Sequence, residues 1–270
     1  MWFDVLRGLV LGAVQGLTEF FPVSSSGHLI LVPILLHWPD QGLAFDAFLN
    51  FGTITALLWF FRKDLWHLCV RLCSKNADIR GKAWLFASKI VVATIPAALL
   101  GFLLKDFIDQ YARQAWLVAA DTAIWGLVLL WADHASRKRT DALLDFEQVS
   151  WKQALTVGCA QALALAPGTS RSGITITAGL FTGLSREAAA RFSFFLSIPI
   201  NTAAGLLGLL SVWKHGTGNE TWTGLLVGYV AALVFGLFAI RFLLSYVAKK
   251  HYDWFVAYRL FLALVVVLVA

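Results

Sequence analysis

The chain is poor in charged residues. Only 14% of its 270 residues are Asp, Glu, Lys or Arg, whereas soluble domains contain about 25%. In contrast, 59% of the residues are hydrophobic and the mean hydropathy is +0.72. This balance excludes an ordinary soluble domain and predicts a membrane protein that crosses the bilayer several times.

Cysteine is scarce, and the basic residues form no long continuous run. The three cysteines are an odd number without the spacing of a metal site, and we assign them no role. The formal net charge is +6, but the basic residues stand between apolar segments. That placement is typical of orientation signals and of contact with anionic lipid headgroups. We therefore expect membrane lipids as partners and no nucleic acid.

Apolar segments long enough to cross a bilayer occur six times. A crossing needs about 20 mainly apolar residues. The sequence therefore predicts an all-α membrane protein with six transmembrane helices in a single domain, residues 1–270. The six segments are 43–61, 84–104, 115–132, 191–212, 223–244 and 254–270.

Two further apolar segments, 5–36 and 151–183, are interrupted by polar centres. The centres read PVSSSGH and PGTSRSG, in which Pro and Gly end one helix and Ser or Thr begins another. Each half is shorter than a full crossing, so we predict two re-entrant helical hairpins. Such backbone is stable at membrane depth only where it is buried in protein or lines a cavity.

The two hairpins resemble each other in sequence. A shift of 146 residues aligns seven identical residues within positions 12–31. Each predicted repeat, about 1–135 and about 150–270, holds one hairpin and three crossings, so the second copy must be inverted. Inverted repeats with broken helices bind their ligand near the midplane, between the copies. The aligned pairs are Gly12 and Gly158, Gln15 and Gln161, Leu17 and Leu163, Ser24 and Ser170, Ser26 and Ser172, Gly27 and Gly173, and Ile30 and Ile176.

Basic residues are divided unevenly between the two predicted sides, twelve against four. The richer side is predicted to be cytoplasmic. The mouth of the first hairpin and both termini then face outward. The twelve are Arg62, Lys63, Arg71, Lys75, Arg80, Lys82, Arg137, Lys138, Arg139, Arg186, Lys249 and Lys250, and the four are Arg7, Lys105, Arg113 and Lys214.

The first hairpin carries a carboxylate and several hydroxyl groups around its break. Gln15 and Glu19 are four residues apart, so they share one helix face. Pro22 ends that helix, and the next helix begins with unpaired N–H groups that attract phosphate. The polar residues after the break are Ser24, Ser25, Ser26 and His28.

The second hairpin repeats this pattern and adds an arginine. The planar fork of Arg171 matches phosphate oxygens bidentately. Together the hairpins would supply an acid, a histidine, hydroxyls, an arginine and two helix N-termini, which suits the binding and cleavage of a phosphate ester. The other candidate phosphate-binding residues are Gly168, Thr169, Ser170, Ser172 and Thr175.

Each of these residues also has a structural interpretation. A serine in a membrane helix commonly packs against a neighbour or bonds to its own backbone. Glu19 could be an ion-pair partner and His28 a buried core residue. Their clustering at a break that recurs in the second hairpin favours a functional site. Asp121 lies in a predicted crossing, and the sequence assigns it no role.

The two motifs resemble those of the bacterial undecaprenyl-diphosphate phosphatase family, also called the bacitracin-resistance protein. The first family motif has Glu or Gln, then three residues, then Glu, and it continues into PVSS-x-GH. It matches the residues from Gln15 to His28. The second family motif, PG-x-SRS-x-x-T, matches Pro167 to Thr175. The similarity runs from about residue 3 to the C-terminus. It implies a multi-pass enzyme of the bacterial inner membrane that removes the terminal phosphate of undecaprenyl diphosphate at the periplasmic side. This reaction recycles the lipid carrier of peptidoglycan synthesis and gives resistance to bacitracin.

The resemblance also implies roles for individual residues. Family members depend on Mg²⁺ or Ca²⁺. Glu19 would hold this metal, with help from Gln15, or would position water. His28 would be a general base or acid, and Arg171 would clamp the diphosphate. Ser25 would be the attacking hydroxyl, activated by His28, or a phosphate-binding group. A phosphoserine intermediate and direct attack by water both stay open, as does a homodimer.

A second function fits the same architecture. Inverted repeats with a midplane site are typical of transporters, so the chain could flip a polyprenyl phosphate across the membrane. A carrier needs phosphate-binding groups but no base. His28 and Ser25 therefore favour hydrolysis over transport.

A fusion reporter tests the predicted orientation. Alkaline phosphatase fused after Ala270 should be active, because this enzyme folds only outside the cytoplasm and the C-terminus is predicted to face outward. The same reporter fused after Ser74, in the basic loop, should be inactive. The reverse pattern would contradict the three-plus-three topology.

Overall fold

The structure is a computed structural model that describes residues 2–39, 42–104, 114–137, 139, 145–217 and 220–269. These residues form helices and no strand, as predicted. Lys105, Arg113 and Lys138, which entered the orientation prediction, lie outside the described residues. The helices are α1 (Trp2–Phe20), α2 (Ser25–Leu36), α3 (Gly42–Phe60), α4 (Arg62–Leu72), α5 (Ala77–Leu103), α6 (Ala115–Ser136), α7 (Trp151–Leu163), α8 (Arg171–Phe181), α9 (Arg186–His215), α10 (Trp222–Val247) and α11 (Asp253–Val269), with a 3-10 turn at Phe146–Gln148.

Four helices among the described residues are long and apolar enough to cross a bilayer. They coincide with four of the six predicted crossings. The other two predicted crossings form α3 and α11, of 19 and 17 residues, near the lower limit for a crossing. The exact number of crossings therefore stays a prediction. The four are Ala77–Leu103, Trp116–Ser136, Arg186–Lys214 and Trp222–Val247.

Both predicted helix breaks are present, at residues 21–24 and 164–170. The flanking helices α2, α7 and α8 have 12, 13 and 11 residues, which is shorter than a crossing. Helix α1 is longer than predicted, with 19 residues. It extends back to Trp2 because Asp4 in its first turn complements the positive end of the helix dipole.

Equivalent serines begin the two helices that follow the breaks. The Ser24 hydroxyl accepts the N–H of Gly27, and the Ser170 hydroxyl accepts the N–H of Gly173. Both serines have a positive φ, 72° and 69°, which residues other than glycine rarely adopt. The two chain reversals therefore share one local conformation.

Glycines let α1 approach α10 closely. Gly8, Gly12 and Gly16 are four residues apart and lie on one face. A Cβ atom added at Gly12 would overlap the backbone carbonyl of Gly228. Membrane helices associate through such small residues because burial from lipid provides no hydrophobic gain. This motif was not identified from the sequence, although its four-residue spacing is visible there.

Helix α7 packs against α5 in the same way, because a Cβ atom added at Gly158 would overlap the carbonyl of Ala93. In addition, α3 packs on α9 and α6 packs on α11. Helix α1 of the first broken pair therefore packs on α10, late in the chain, and helix α7 of the second pair packs on α5, early in the chain. This exchange of partners brings the two breaks into one region.

Close packing at Gly12 is testable by adding one methyl group. Gly12→Ala should destabilise the protein by about 1–3 kcal/mol, because the backbone of α10 must move. Gly81→Ala is the matched control, since no atom lies within 4 Å of its added Cβ, and it should leave stability unchanged or raise it by up to about 1 kcal/mol. Thermal unfolding in detergent measures both variants. Equal midpoints would contradict the close approach.

Candidate functional site

Arg259 of α11 joins the two breaks. Its side chain is completely buried and donates to the carbonyl of Pro22 in the first turn at 3.2 Å. It also donates to the carbonyls of Gly168 and Thr169 in the second turn at 3.0–3.1 Å, and to that of Thr122 at 3.0 Å. One guanidinium offers five donors in a fixed fork, so it satisfies carbonyls that interrupted helices leave without partners.

The second turn depends on a glycine and a buried carboxylate. Gly168 has φ +100°, and a Cβ atom there would press against the carbonyl of Val118. The hydroxyl of the next residue, Thr169, is buried and donates to the carboxylate of Asp121. Asp121, which the sequence left without a role, therefore anchors this turn to α6.

A partly buried ion pair connects the two sequence motifs. Arg171 Nη2 lies 2.7 Å from Glu19 Oε1, and the two side chains are 13% and 11% exposed. Ser172 adds a hydrogen bond from its hydroxyl to the carbonyl of Phe21, at 2.9 Å. The structure thus brings together the predicted acid and the predicted arginine.

Glu19 is also the acceptor for three uncharged side chains. Ser25 Oγ donates to Oε2 at 2.8 Å and Gln15 Nε2 donates to the same oxygen at 3.2 Å. Asn201 Nδ2 donates to Oε1 at 3.0 Å, and Gln15 Nε2 also donates to Asn50 Oδ1 at 3.1 Å. The two asparagines were missed from sequence, although an asparagine inside an apolar segment is itself a signal.

Arg171 retains donors that could bind an anion. Its Nε and Nη1 atoms are buried and have no hydrogen-bond partner among the described residues. A buried donor without a partner costs about 1–3 kcal/mol. Phosphate oxygens would satisfy both atoms, because a guanidinium binds phosphate through parallel N–H bonds.

The helix N-termini add backbone donors on both sides. The first helical hydrogen bonds run from His28 N–H to the Ser24 carbonyl and from Ile174 N–H to the Ser170 carbonyl. The N–H groups of residues 25, 26, 171 and 172 therefore precede the helical ladder and can bind an anion. Two pairs of serine hydroxyls flank these N–H groups. Ser24 Oγ lies 3.3 Å from Ser26 Oγ, and Ser170 Oγ lies 3.2 Å from Ser172 Oγ.

His28 bonds to groups other than Ser25. Its Nδ1 lies 2.7 Å from the Ser24 carbonyl, so Nδ1 carries the proton. Its Nε2 lies 2.7 Å from the hydroxyl of Tyr258, whose ring stacks on the imidazole. The group that accepts from Ser25 is Glu19, and the expected contact between His28 and Ser25 is not made. Tyr258 was not identified from sequence.

Thr175 is placed between helices. Its hydroxyl is buried, donates to the Arg171 carbonyl at 2.7 Å and lies 2.6 Å from Ser193 Oγ. The contact with Ser193 links α8 to α9. Its predicted contact with phosphate stays a prediction.

An apolar groove runs beside the first break. Its volume is about 470 Å³. Tyr258 lines it and also contacts His28, so the groove lies next to the first break and its histidine. The other lining residues are Leu17, Thr18, Phe21, Val23, Phe242, Tyr246, Trp254 and Phe255.

Two places could be considered for a metal. Within the described part of the chain, three carboxylate or imidazole groups converge at Asp133, His134 and Asp253, but Asp133 is buried and paired with Arg137 and Arg186. Those arginines already neutralise its charge. Around Glu19 one carboxylate is surrounded by amide and hydroxyl groups, a set that fits Mg²⁺ or Ca²⁺ if substrate phosphates supply further oxygens.

Comparison with known proteins gives consistent matches over nearly the whole chain. Residues 8–265 match the family described as Bacitracin resistance protein BacA. The chain is 44% identical over 268 residues to Undecaprenyl-diphosphatase 2 of Stutzerimonas stutzeri (strain A1501), covering 97% of each protein. It is 42% identical over 269 residues to Undecaprenyl-diphosphatase of Idiomarina loihiensis, covering 98% of each.

The role of Arg259 is testable through the two turns that it joins. Arg259→Gln should destabilise the protein by about 1–3 kcal/mol for each carbonyl left without a donor. Hydrogen exchange should accelerate in both segments 21–28 and 165–174. Arg241→Gln, at an exposed arginine of α10, is the control and should change neither segment. Faster exchange in only one turn would show that Arg259 does not couple them.

Proposed function

Because the chain belongs to the bacitracin resistance protein BacA family, we propose that it hydrolyses undecaprenyl diphosphate to undecaprenyl phosphate and inorganic phosphate. The observation that carries this proposal is the contact of Glu19 with both Arg171 and Ser25. It brings a carboxylate, a hydroxyl and a guanidinium from two distant motifs to one point. A carrier of lipid phosphate has no need of a carboxylate bonded to a serine.

The diphosphate binds where the two breaks meet. Its oxygens accept from Nε and Nη1 of Arg171, which are buried donors without partners in the described part of the chain, and from the N–H groups at the starts of α2 and α8. The negative charge of the substrate also competes with Glu19 for Arg171. Binding therefore loosens the ion pair and leaves the carboxylate available as a base.

The first chemical step is attack on the terminal phosphorus by Ser25 Oγ. Glu19 Oε2, 2.8 Å away, accepts the serine proton. The bond from phosphorus to the bridging oxygen breaks, undecaprenyl phosphate leaves, and a phosphoserine forms. Arg171 stabilises the charge that develops on the phosphoryl oxygens.

Water completes the reaction. It attacks the phosphoserine, the phosphorus–Oγ bond breaks, and Ser25 regains a proton from Glu19 as inorganic phosphate leaves. The alternative is direct attack by a water molecule held by Glu19, with Ser25 binding phosphate. Bound Mg²⁺ or Ca²⁺, held by Glu19 and Gln15, would neutralise part of the diphosphate charge in either route.

His28 and Tyr258 support the first turn in this proposal. The imidazole bridges the Ser24 carbonyl and the Tyr258 hydroxyl, and so fixes the start of α2, where Ser25 lies. The apolar groove that Tyr258 lines receives the isoprenoid chain, since it is apolar and lies beside the first break.

We propose that the membrane arrangement is an inverted repeat with six crossings and two re-entrant hairpins in one domain. The exchanged packing of α1 on α10 and of α7 on α5 supports this arrangement, as do the matching conformations of Ser24 and Ser170. The protein would lie in the bacterial cytoplasmic membrane with its site open to the periplasm. Whether it is a homodimer is a separate question that oligomer mass would answer.

Phosphate release from a C55 diphosphate by purified protein tests the function. Glu19→Gln should lower turnover by about 10²–10⁴, and Ser25→Ala should lower it comparably. Because the two groups act as a unit, the double variant should be little worse than either single variant. Ser88→Ala is the control, since that hydroxyl bonds only its own helix.

Three outcomes would contradict the proposal. If the turnover losses of the two single variants multiply in the double variant, Glu19 and Ser25 share no chemical step. Substantial turnover in Ser25→Ala would remove the phosphoserine route and leave direct attack by water. Lipid phosphate transport by wild-type protein without any hydrolysis would favour the carrier function instead.

A further inference from the structure

The amide of Gln15 lies between two oxygens of other side chains. Its Nε2 group is 3.1 Å from Asn50 Oδ1 and 3.2 Å from Glu19 Oε2, and Gln15 is only 2% exposed. An amide NH₂ group carries partial positive charge. It therefore occupies a position, between converging oxygens, where a cation would be favourable.

Asn50 and Asn201 approach this cluster from two different helices. Asn50 lies on α3 and Asn201 on α9, and each of these is the first long helix after a break. Asn201 Nδ2 contacts Glu19 Oε1 at 3.0 Å. The single carboxylate of the cluster is thus flanked by three side-chain amides.

We propose that Asn50 and Asn201 are ligands of the divalent cation, together with Glu19. This inference rests on the proposed function, which supplies the diphosphate. Mg²⁺ and Ca²⁺ take oxygen ligands, and rotation of an amide presents its oxygen in place of its NH₂ group with little change in shape. Asn201 needs only such a rotation to turn its oxygen toward the cation, whereas the Gln15 amide must also move aside, because its NH₂ group occupies the position between the oxygens.

The charges imply that cation and substrate bind cooperatively. One carboxylate with neutral amides holds a divalent cation weakly, and Arg171, 2.7 Å from Glu19, weakens it further. A bound diphosphate attracts Arg171 and contributes anionic oxygens, as is usual for Mg²⁺ at phosphate sites. Cation affinity should therefore rise when a diphosphate is present.

Mn²⁺ binding to the purified full-length chain, followed by electron paramagnetic resonance, tests the assignment without measuring activity. The titration is made alone and with farnesyl methylenediphosphonate, which cannot be hydrolysed. Wild-type protein should bind one Mn²⁺ more tightly with the analogue. Asn50→Leu and Asn201→Leu should each lower that affinity at least about tenfold, while Ser197→Ala, one turn before Asn201 with its hydroxyl on the Phe194 carbonyl, should not.

Asn201→Asp separates a ligand from a residue that only positions Glu19. If Asn201 supplies an oxygen to the cation, the added carboxylate should match or raise wild-type Mn²⁺ affinity. If Asn201 only donates to Glu19, aspartate would repel that carboxylate and lower affinity as leucine does, which would overturn the inference.

Two further results would separate this inference from the proposed function. Metal-dependent hydrolysis with unchanged Mn²⁺ affinity in both leucine variants would overturn the assignment of the asparagines alone. Hydrolysis that resists chelator, with no Mn²⁺ bound by wild-type protein, would overturn the cation site and leave the phosphatase reaction intact.

Discussion

The structure depends on how two interrupted helices satisfy their backbone groups in an apolar environment. A break in a membrane helix leaves carbonyl and N–H groups without partners, and lipid offers none. Arg259 supplies hydrogen-bond donors to the carbonyls, because its guanidinium reaches those of Pro22, Gly168 and Thr169 at once. The N–H groups at the starts of α2 and α8 have no helical partner and are available to a ligand. The same breaks that require Arg259 therefore also provide the N–H groups of the proposed anion site.

The backbone is strained at both breaks, where Arg259 binds the carbonyls and the N–H groups stay available to a ligand. Ser24 and Ser170 both have positive φ values, an arrangement that costs on the order of 1–3 kcal/mol each and persists only where the surroundings enforce it. Their hydroxyls cap the next helix, and Arg259 holds the carbonyls beside them. Glu19 and Arg171 then meet within hydrogen-bonding distance, although 152 residues separate them.

Sequence could predict the parts of the site that carry local signals. Pro22, the serine run and the PGTSRSG segment identified both breaks, and the spacing of Gln15 and Glu19 identified one helix face. Arg259, Tyr258, Asn50 and Asn201 were missed because a single polar residue in an apolar helix does not reveal what it faces. Ser25 donates to Glu19 and not to the expected His28, because closeness in sequence does not specify which way two side chains on a new helix point. Close packing through Gly12 was readable from its spacing, but its partner helix was not.

The proposed repeat explains why the site is chemically asymmetric. At the shift of 146 residues, Ser25 corresponds to Arg171 and Glu19 corresponds to Leu165. The same position, the first residue of the helix after a break, thus supplies a hydroxyl from one copy and a guanidinium from the other, and both donate to the one carboxylate. A second carboxylate in place of Leu165 would repel a diphosphate, and a second arginine in place of Ser25 would bind it without offering a nucleophile. Two copies of one structural element can therefore form a reactive site only after their equivalent residues have diverged.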